Sequence, residues 1–299
     1  MTMKKIFTIV FSFTSICLYA QDDLMKELEQ NQKPETNYVS QTFKGTRIIN
    51  GQSVETKGKG ELEFIFSHRF DKISTGAYQV WGLDGYPAVR LGLEYGITDR
   101  LGVGIGRNFY YNNKMEDLYL RYKIARQSSG AKNFPVTITG IGTVMYQPYP
   151  NAKDATDSIP NSPTGDRLSY VAELLIARKF SSKFSAQIAP TFVHRNAVHQ
   201  DVENNDDYAI AFAGKYKFTR SLSLIGEYYY RLNPHVNSPF YDAFGAGVDI
   251  ETGGHVFQLI FTNSLGMNPN TIITATDSKP GDLRFGFNIS RTFQLAKRK

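Results

Sequence analysis

The chain has 299 residues, 41% of them hydrophobic and 13% aromatic, and its 34 basic against 28 acidic residues give a net charge of +6. That charge is mild and spread along the whole length, which excludes the clustered basic face that nucleic acid demands. A single cysteine, Cys17, falls within the N-terminal leader, so disulfides, thiol nucleophiles and thiolate metal sites are excluded from the mature chain.

Residues 1–20 read as a secretory signal peptide. Lys4 and Lys5 form the basic start, residues 6–18 are apolar or small, and Leu18, Tyr19 and Ala20 precede the cleavage point at Gln21. The apolar run is shorter than the roughly 20 residues of a spanning helix. Without the leader the net charge is +4. Residues 21–32 place Leu24, Met25 and Leu28 at helical spacing, a short amphipathic helix that Pro34 ends. Residues 37–58 hold Phe43, Ile48, Ile49 and Val54 among polar residues and glycines, too few apolar groups for a domain. The segment 21–58 is therefore a lead-in, either periplasmic or packed inside the remainder of the chain.

From residue 59 onward the chain alternates apolar and polar with period two, the mark of strands. The first run sets Leu62, Phe64, Phe66, His68 and Phe70 against Glu61, Glu63, Ser67 and Arg69. Further runs lie at 89–97, 101–111, 118–126, 136–147, 168–180, 184–194, 208–218, 222–232, 244–250, 257–265 and 283–293, twelve in all. Residues 98–100, 181–183 and 219–221 are tight polar turns, and 251–254 joins another hairpin. Most runs have 9–12 residues, the length of a tilted membrane-crossing strand. Long connections at 71–87, 148–167, 195–207, 233–243 and 266–282 alternate with short ones, the loop asymmetry of an outer-membrane barrel. Two connections blur that pattern: 112–117, a short outer loop, and 127–135, a longish inner turn.

The fold expected is all-β, a closed antiparallel transmembrane barrel of about 12 strands over residues 59–299. Its apolar faces meet lipid, and aromatic residues such as Tyr95, Phe109, Tyr122, Phe180, Phe184, Phe192, Tyr208, Phe218 and Phe293 gather toward the run ends as interfacial girdles. The opposite faces give candidate lumen-lining residues of both signs: Glu61, Glu63, Arg90, Glu94, Arg121, Lys123, Glu173, Lys215, Lys217, Glu227, Arg231 and Arg284. Gly102, Gly104 and Gly106 share one face, either to relieve curvature or as a bare stripe against which a segment such as 37–58 lies.

No catalytic, cofactor or metal site is expected. The five histidines show no metal-ligand spacing, and Ser67 and His68 are adjacent on a strand, so their side chains point to opposite faces and form no nucleophile-base pair. Asp154, Asp157 and Asp166 lie in a proline-containing loop without calcium-loop spacing, and a solvated loop is expected there. Expected partners are outer-membrane lipid, a polar small solute and, from the aromatic Phe293 near the end of the final strand, the barrel assembly machinery.

The stretches TFKGTRIINGQSVETKGKGELEFIFSHRF (42–70), STGAYQVWGLDG (74–85) and VRLGLEYGITDRLGVGIGR (89–107) resemble an uncharacterised family of outer-membrane β-barrel proteins of the Bacteroidota, a domain of unknown function. The resemblance implies an outer-membrane location and carries over no catalytic residue. It also implies that the lead-in, with Phe43, Arg47, Asn50, Gly51 and Glu55, is structured against the barrel. The functional expectation is a non-enzymatic small pore or carrier for polar solutes. Two alternatives stay open: a non-conducting structural or binding barrel acting through its extracellular loops, and a soluble periplasmic β protein.

Overall fold

A computed structural model describes residues 35–109, 114–148 and 163–296. The signal segment, the amphipathic stretch 21–32, the loop positions of Asp154 and Asp157, and Tyr110 and Tyr111 of the run 101–111 lie outside the described residues.

Twelve antiparallel strands close into a barrel: β2 (Glu61–Lys72), β3 (Ala88–Gly96), β4 (Leu101–Phe109), β5 (Met115–Ala125), β7 (Thr137–Tyr146), β8 (Leu168–Lys179), β9 (Phe184–Arg195), β10 (Asp206–Lys217), β11 (Leu222–Arg231), β12 (Phe244–Thr252), β13 (His255–Thr262) and β14 (Arg284–Gln294). Each strand pairs with its neighbour in sequence, and β14 closes the ring on β2, with Phe287 opposite His68 and Gln294 opposite Glu61. Closure leaves no sheet edge, which is what a bilayer requires of a β structure. A separate compact unit contains β1 (Thr36–Tyr38) paired antiparallel with β6 (Ser128–Gly130), so the connection 127–135, read as a longish turn, carries a strand of its own.

The tight turns form as their residues dictate. The Thr98 hydroxyl accepts from the backbone of Arg100 and Leu101 at 3.1 and 2.9 Å. Ser181 does the same for Lys183 and Phe184, and Thr219 for Leu222. Gly253 and Gly254, at φ 42° and 101°, make the β12–β13 connection a two-residue hairpin turn, shorter than the four residues expected. Strand β5 likewise begins at Met115, earlier than its apolar alternation indicates.

One face of each barrel strand is apolar and turned outward: Leu118, Leu120, Tyr122 and Ile124 of β5 are each about half exposed, while Asp117, Tyr119, Arg121 and Lys123 between them are buried. Aromatic pairs collect at both rims. Phe180 and Phe184 (5.6 Å) and Tyr216 and Phe218 (5.1 Å) lie at the short-turn end, and Phe192 with Tyr208 (5.1 Å) and Phe261 with Phe285 (5.6 Å) at the long-loop end. From Tyr170 to Phe180 the strand rises about 33 Å at ~3.3 Å per residue, or ~25 Å along the normal at ~40° of tilt, the height of an outer-membrane apolar band.

The Gly102–Gly106 stripe faces the lumen, and it is not covered by residues 37–58. A Cβ on Gly104 would stand 2.1 Å from the Tyr119 ring, and one on Gly106 would stand 2.0 Å from the Arg90 guanidinium. Gly104 and Gly106 make room for large side chains of the neighbouring strands, which fill the lumen from the wall itself, whereas a Cβ on Gly102 would meet nothing closer than Tyr95 O at 3.5 Å.

Candidate functional site

The buried centre of the barrel is its lumen, and residues 42–58 occupy it. Thr46 to Ser53 fold as a miniature hairpin: Arg47 bridges Gln52, the Ser53 N–H donates to Thr46 O at 2.9 Å, and the Ile48 N–H donates to Gly51 O at 3.0 Å. Phe43, Ile48, Ile49 and Val54 are almost fully buried and join Tyr119, Met145, Leu175, Val193, Ile225, Tyr229 and Ile260 of the wall in one apolar cluster. The apolar residues of the lead-in thus anchor a plug.

Polar wall residues satisfy the backbone of this plug. The Glu227 carboxylate accepts the N–H groups of Asn50 and Gly51 at 2.9 and 3.1 Å, at the hairpin tip. Arg69 donates to Asn50 Oδ1 at 2.7 Å, and Asn288 to Ile49 O at 2.8 Å. Gln258 donates to Ile48 O at 2.7 Å. Gln187 both donates to Gln52 O (2.8 Å) and accepts from the Val54 N–H (3.0 Å). Arg121 donates to Ser53 O and Glu55 O at 2.5 and 2.7 Å and to Gln52 Oε1, while its Nε lies 3.1 Å from Glu94. Gly51 is required at the tip, because a Cβ there would stand 1.8 Å from the buried Tyr229 hydroxyl.

Of the twelve candidate lining residues, Glu63, Arg90, Glu94, Arg121, Lys123, Glu173, Lys215, Glu227 and Arg284 are buried toward the lumen, and Glu61, Lys217 and Arg231 are half-buried near the strand ends. Most of the charges meet a partner: Arg90 with Asp117 (2.7 Å), Lys57 with Glu63 (2.9 Å), Lys123 with Glu55 (3.8 Å), Arg284 with Asp71 (2.8 Å), Arg231 with Asp242 (3.4 Å), and Lys44 with Glu251. Lys215 donates to Gln41 O at 3.3 Å and lies over the Phe43 ring. Glu173 retains a buried carboxylate oxygen without a hydrogen bond. Burial opposes the charge of plug residue Arg47, but Tyr119, Asp117, Glu94 and Glu173 around it hold its pKa above the ordinary value.

The neutral clamps Gln187, Gln258, Asn288 and Thr139, the last donating its hydroxyl to Val54 O at 2.9 Å, were not among the candidates. Their alternation placed Gln187, Asn288 and Thr139 on polar faces, but a search for charge passes over an amide or hydroxyl that meets a backbone. Asp117 was missed because it sat in an assumed turn. The connection read as an external loop over 266–282 spans 263–283 in the structure, because β13 ends at Thr262, and it folds into the barrel mouth. Its helix Pro269–Thr274 is buried throughout, capped by Asn268 accepting from the Thr271 N–H at 2.9 Å. Asn270 ties the helix to Ser169 of β8 at 3.0 Å, and Asn263 donates to Ser278 O at 3.0 Å across the loop's base.

Ser67 is buried toward the lumen, and His68 stacks outside on Phe287 at 5.3 Å. The two share no hydrogen bond. Groups of three or more histidine, cysteine or acidic side chains arranged to hold a metal are absent among the described residues.

A family model described as a membrane-bound β-barrel domain (DUF5777) matches residues 43–293. No curated protein matches the chain in sequence. Among solved structures, the KdgM porin is similar at 8% identity over 77% of this chain and 99% of its own, with a TM-score of 0.50. The KdgM porin in complex with disordered oligogalacturonate matches at the same identity and coverage, with a TM-score of 0.51. The outer membrane phospholipase A from Escherichia coli matches at 11% identity over 85% and 100% of the two chains, TM-score 0.44. These likenesses concern the barrel fold.

Proposed function

The chain belongs to the membrane-bound β-barrel domain family DUF5777, and from that premise we propose that it is an outer-membrane pore for small polar solutes, closed at rest by its own residues 42–58. The observation that carries this reading is how the plug is attached. Among the described residues, no backbone-to-backbone bond joins residues 42–55 to a strand; every tie to the wall uses a side chain. A segment held this way leaves the strand ladders intact when it moves, and what it exposes is a lining of both charge signs suited to polar solutes.

On this reading the leader 1–20 is cleaved during export, the source is a member of the Bacteroidota, and the short turns face the periplasm. The barrel assembly machinery inserts the chain, and lipid surrounds it. The protein is non-enzymatic in this proposal, since Ser67 and His68 lie on opposite sides of the wall. Replacing residues 42–55 by a glycine-serine linker of equal length tests the plug. In planar bilayers the native protein is expected to be quiet and the linker variant to show discrete conductance steps. A linker variant that folds, by heat-modifiable gel mobility, and stays silent under every gradient would refute the pore.

A further inference from the structure

At the long-loop end, the wall at Ala88 and Asn108, Phe240 of the connection between β11 and β12, and the inturned loop 263–283 line a half-open cavity of about 240 Å³. Phe240, Leu265 and Met267 form its apolar side, and Asn108, Thr271 and Asp277 its polar side. Asn108 is only 5% exposed, yet its Oδ1 has no hydrogen-bond partner. A buried amide oxygen left in that condition in a rigid setting calls for a donor from outside the chain.

The setting is rigid. Arg231 donates to the Phe240 carbonyl at 2.5 Å, and Thr271 caps back onto Asn268. Gly266 lets the loop close on the helix, where a Cβ would stand 2.7 Å from Ile272 N. Asp277 is the charged group of the lining, and it already faces Arg284 at 3.1 Å and Lys72 at 3.8 Å while its side chain stays half exposed. Its oxygens therefore accept a further hydrogen bond without demanding a cation, and its charge disfavours an anion.

We propose that this cavity captures a neutral hydroxylated ring of monosaccharide size. The C–H face of the ring lies on Phe240, and its hydroxyls donate to Asn108 Oδ1 and the Asp277 carboxylate. The volume of about 240 Å³ leaves room for one ring. The inference deepens the pore reading by naming the solute class, and it rests on that reading for its purpose, though the site stands on the cavity.

Calorimetric titration of the full detergent-solubilised barrel with methyl β-glucoside, methyl β-galactoside and myo-inositol tests it, with sorbitol and glucuronate as the flexible and anionic controls. At least one neutral ring is expected to bind with a dissociation constant on the order of millimolar, the controls about tenfold more weakly. Asn108→Ala and the loop change Phe240→Ala are each expected to weaken binding about tenfold, and Ala275→Trp, which fills the cavity, to abolish it. No binding of any neutral ring, equal binding of glucuronate, or indifference of binding to Phe240→Ala and Ala275→Trp in folded protein would overturn the site. Bilayer recordings made in parallel separate the two ideas. Ring binding with a silent linker variant sinks the pore and leaves the site, whereas currents without ring binding sink the site alone.

Discussion

Replacing Glu227 with leucine probes the plug at its tip. The residue is 6% exposed, and its carboxylate takes the N–H groups of Asn50 and Gly51 at 2.9 and 3.1 Å. Hydrogen bonds to a charged group contribute roughly 1.5–3 kcal/mol each, so two amount to about 3–6 kcal/mol. Leucine also removes a buried charge, whose desolvation offsets part of that loss. A net weakening of about 2–4 kcal/mol remains, which multiplies the open population of the tip by roughly 30- to 1,000-fold. Hydrogen exchange followed by mass spectrometry on peptides covering residues 46–54 reads this directly. Exchange there is expected to accelerate by at least about 30-fold, while the paired strands β10 and β11 keep their protection, because their ladder does not involve the Glu227 side chain. If the tip amides of folded Glu227→Leu exchange within threefold of the native rate, the clamp assigned to Glu227 is wrong.

Three other perturbations test the packing, the ion pairs and the outer face. Gly104→Ala puts a methyl 2.1 Å from the Tyr119 ring and is expected to lower the thermal midpoint of gel-mobility conversion, with Tyr119→Ala in the same chain restoring it; lack of rescue would contradict the packing. Asp117→Asn leaves Arg90, buried at 1% exposure, without its anion, and is expected to cost about 3–5 kcal/mol in urea-driven unfolding from lipid vesicles. An effect below ~1 kcal/mol would show that the pair is dispensable. Leu120→Arg, at the middle of the outer face of β5 and 55% exposed, is expected to cost about 2–4 kcal/mol in the same vesicles. A neutral outcome would argue that this face does not meet hydrocarbon.

Alternation, run length and loop asymmetry made the barrel legible. In β5, Leu118, Leu120, Tyr122 and Ile124 against Tyr119, Arg121 and Lys123 determine which side meets lipid, because successive side chains on a strand point to opposite faces. Thr98, Ser181 and Thr219 mark their turns for an equally local reason: each hydroxyl accepts from a backbone N–H two or three residues on. Family-like residues in the stretch 42–58 announced that the lead-in is ordered, and its four apolar side chains needed a core to enter.

The tertiary structure alone decided what fills the barrel. Whether residues 42–58 lie beneath the wall or inside it depends on groups up to 239 positions away in the chain, such as Asn288 donating to Ile49 O, and no local pattern encodes such a pairing. The helix Pro269–Thr274 reads as loop because six residues cannot hold a helix alone, and it forms where Asn268 caps it and the barrel mouth buries it. The glycine stripe is similar: its spacing is plain in the sequence, but that Tyr119 and Arg90 occupy the space became visible only once β3, β4 and β5 were side by side. Period and turn chemistry are local and determine the wall. The contents of the lumen, and with them the plug and the cavity at Asn108, arise from contacts between segments far apart in the chain.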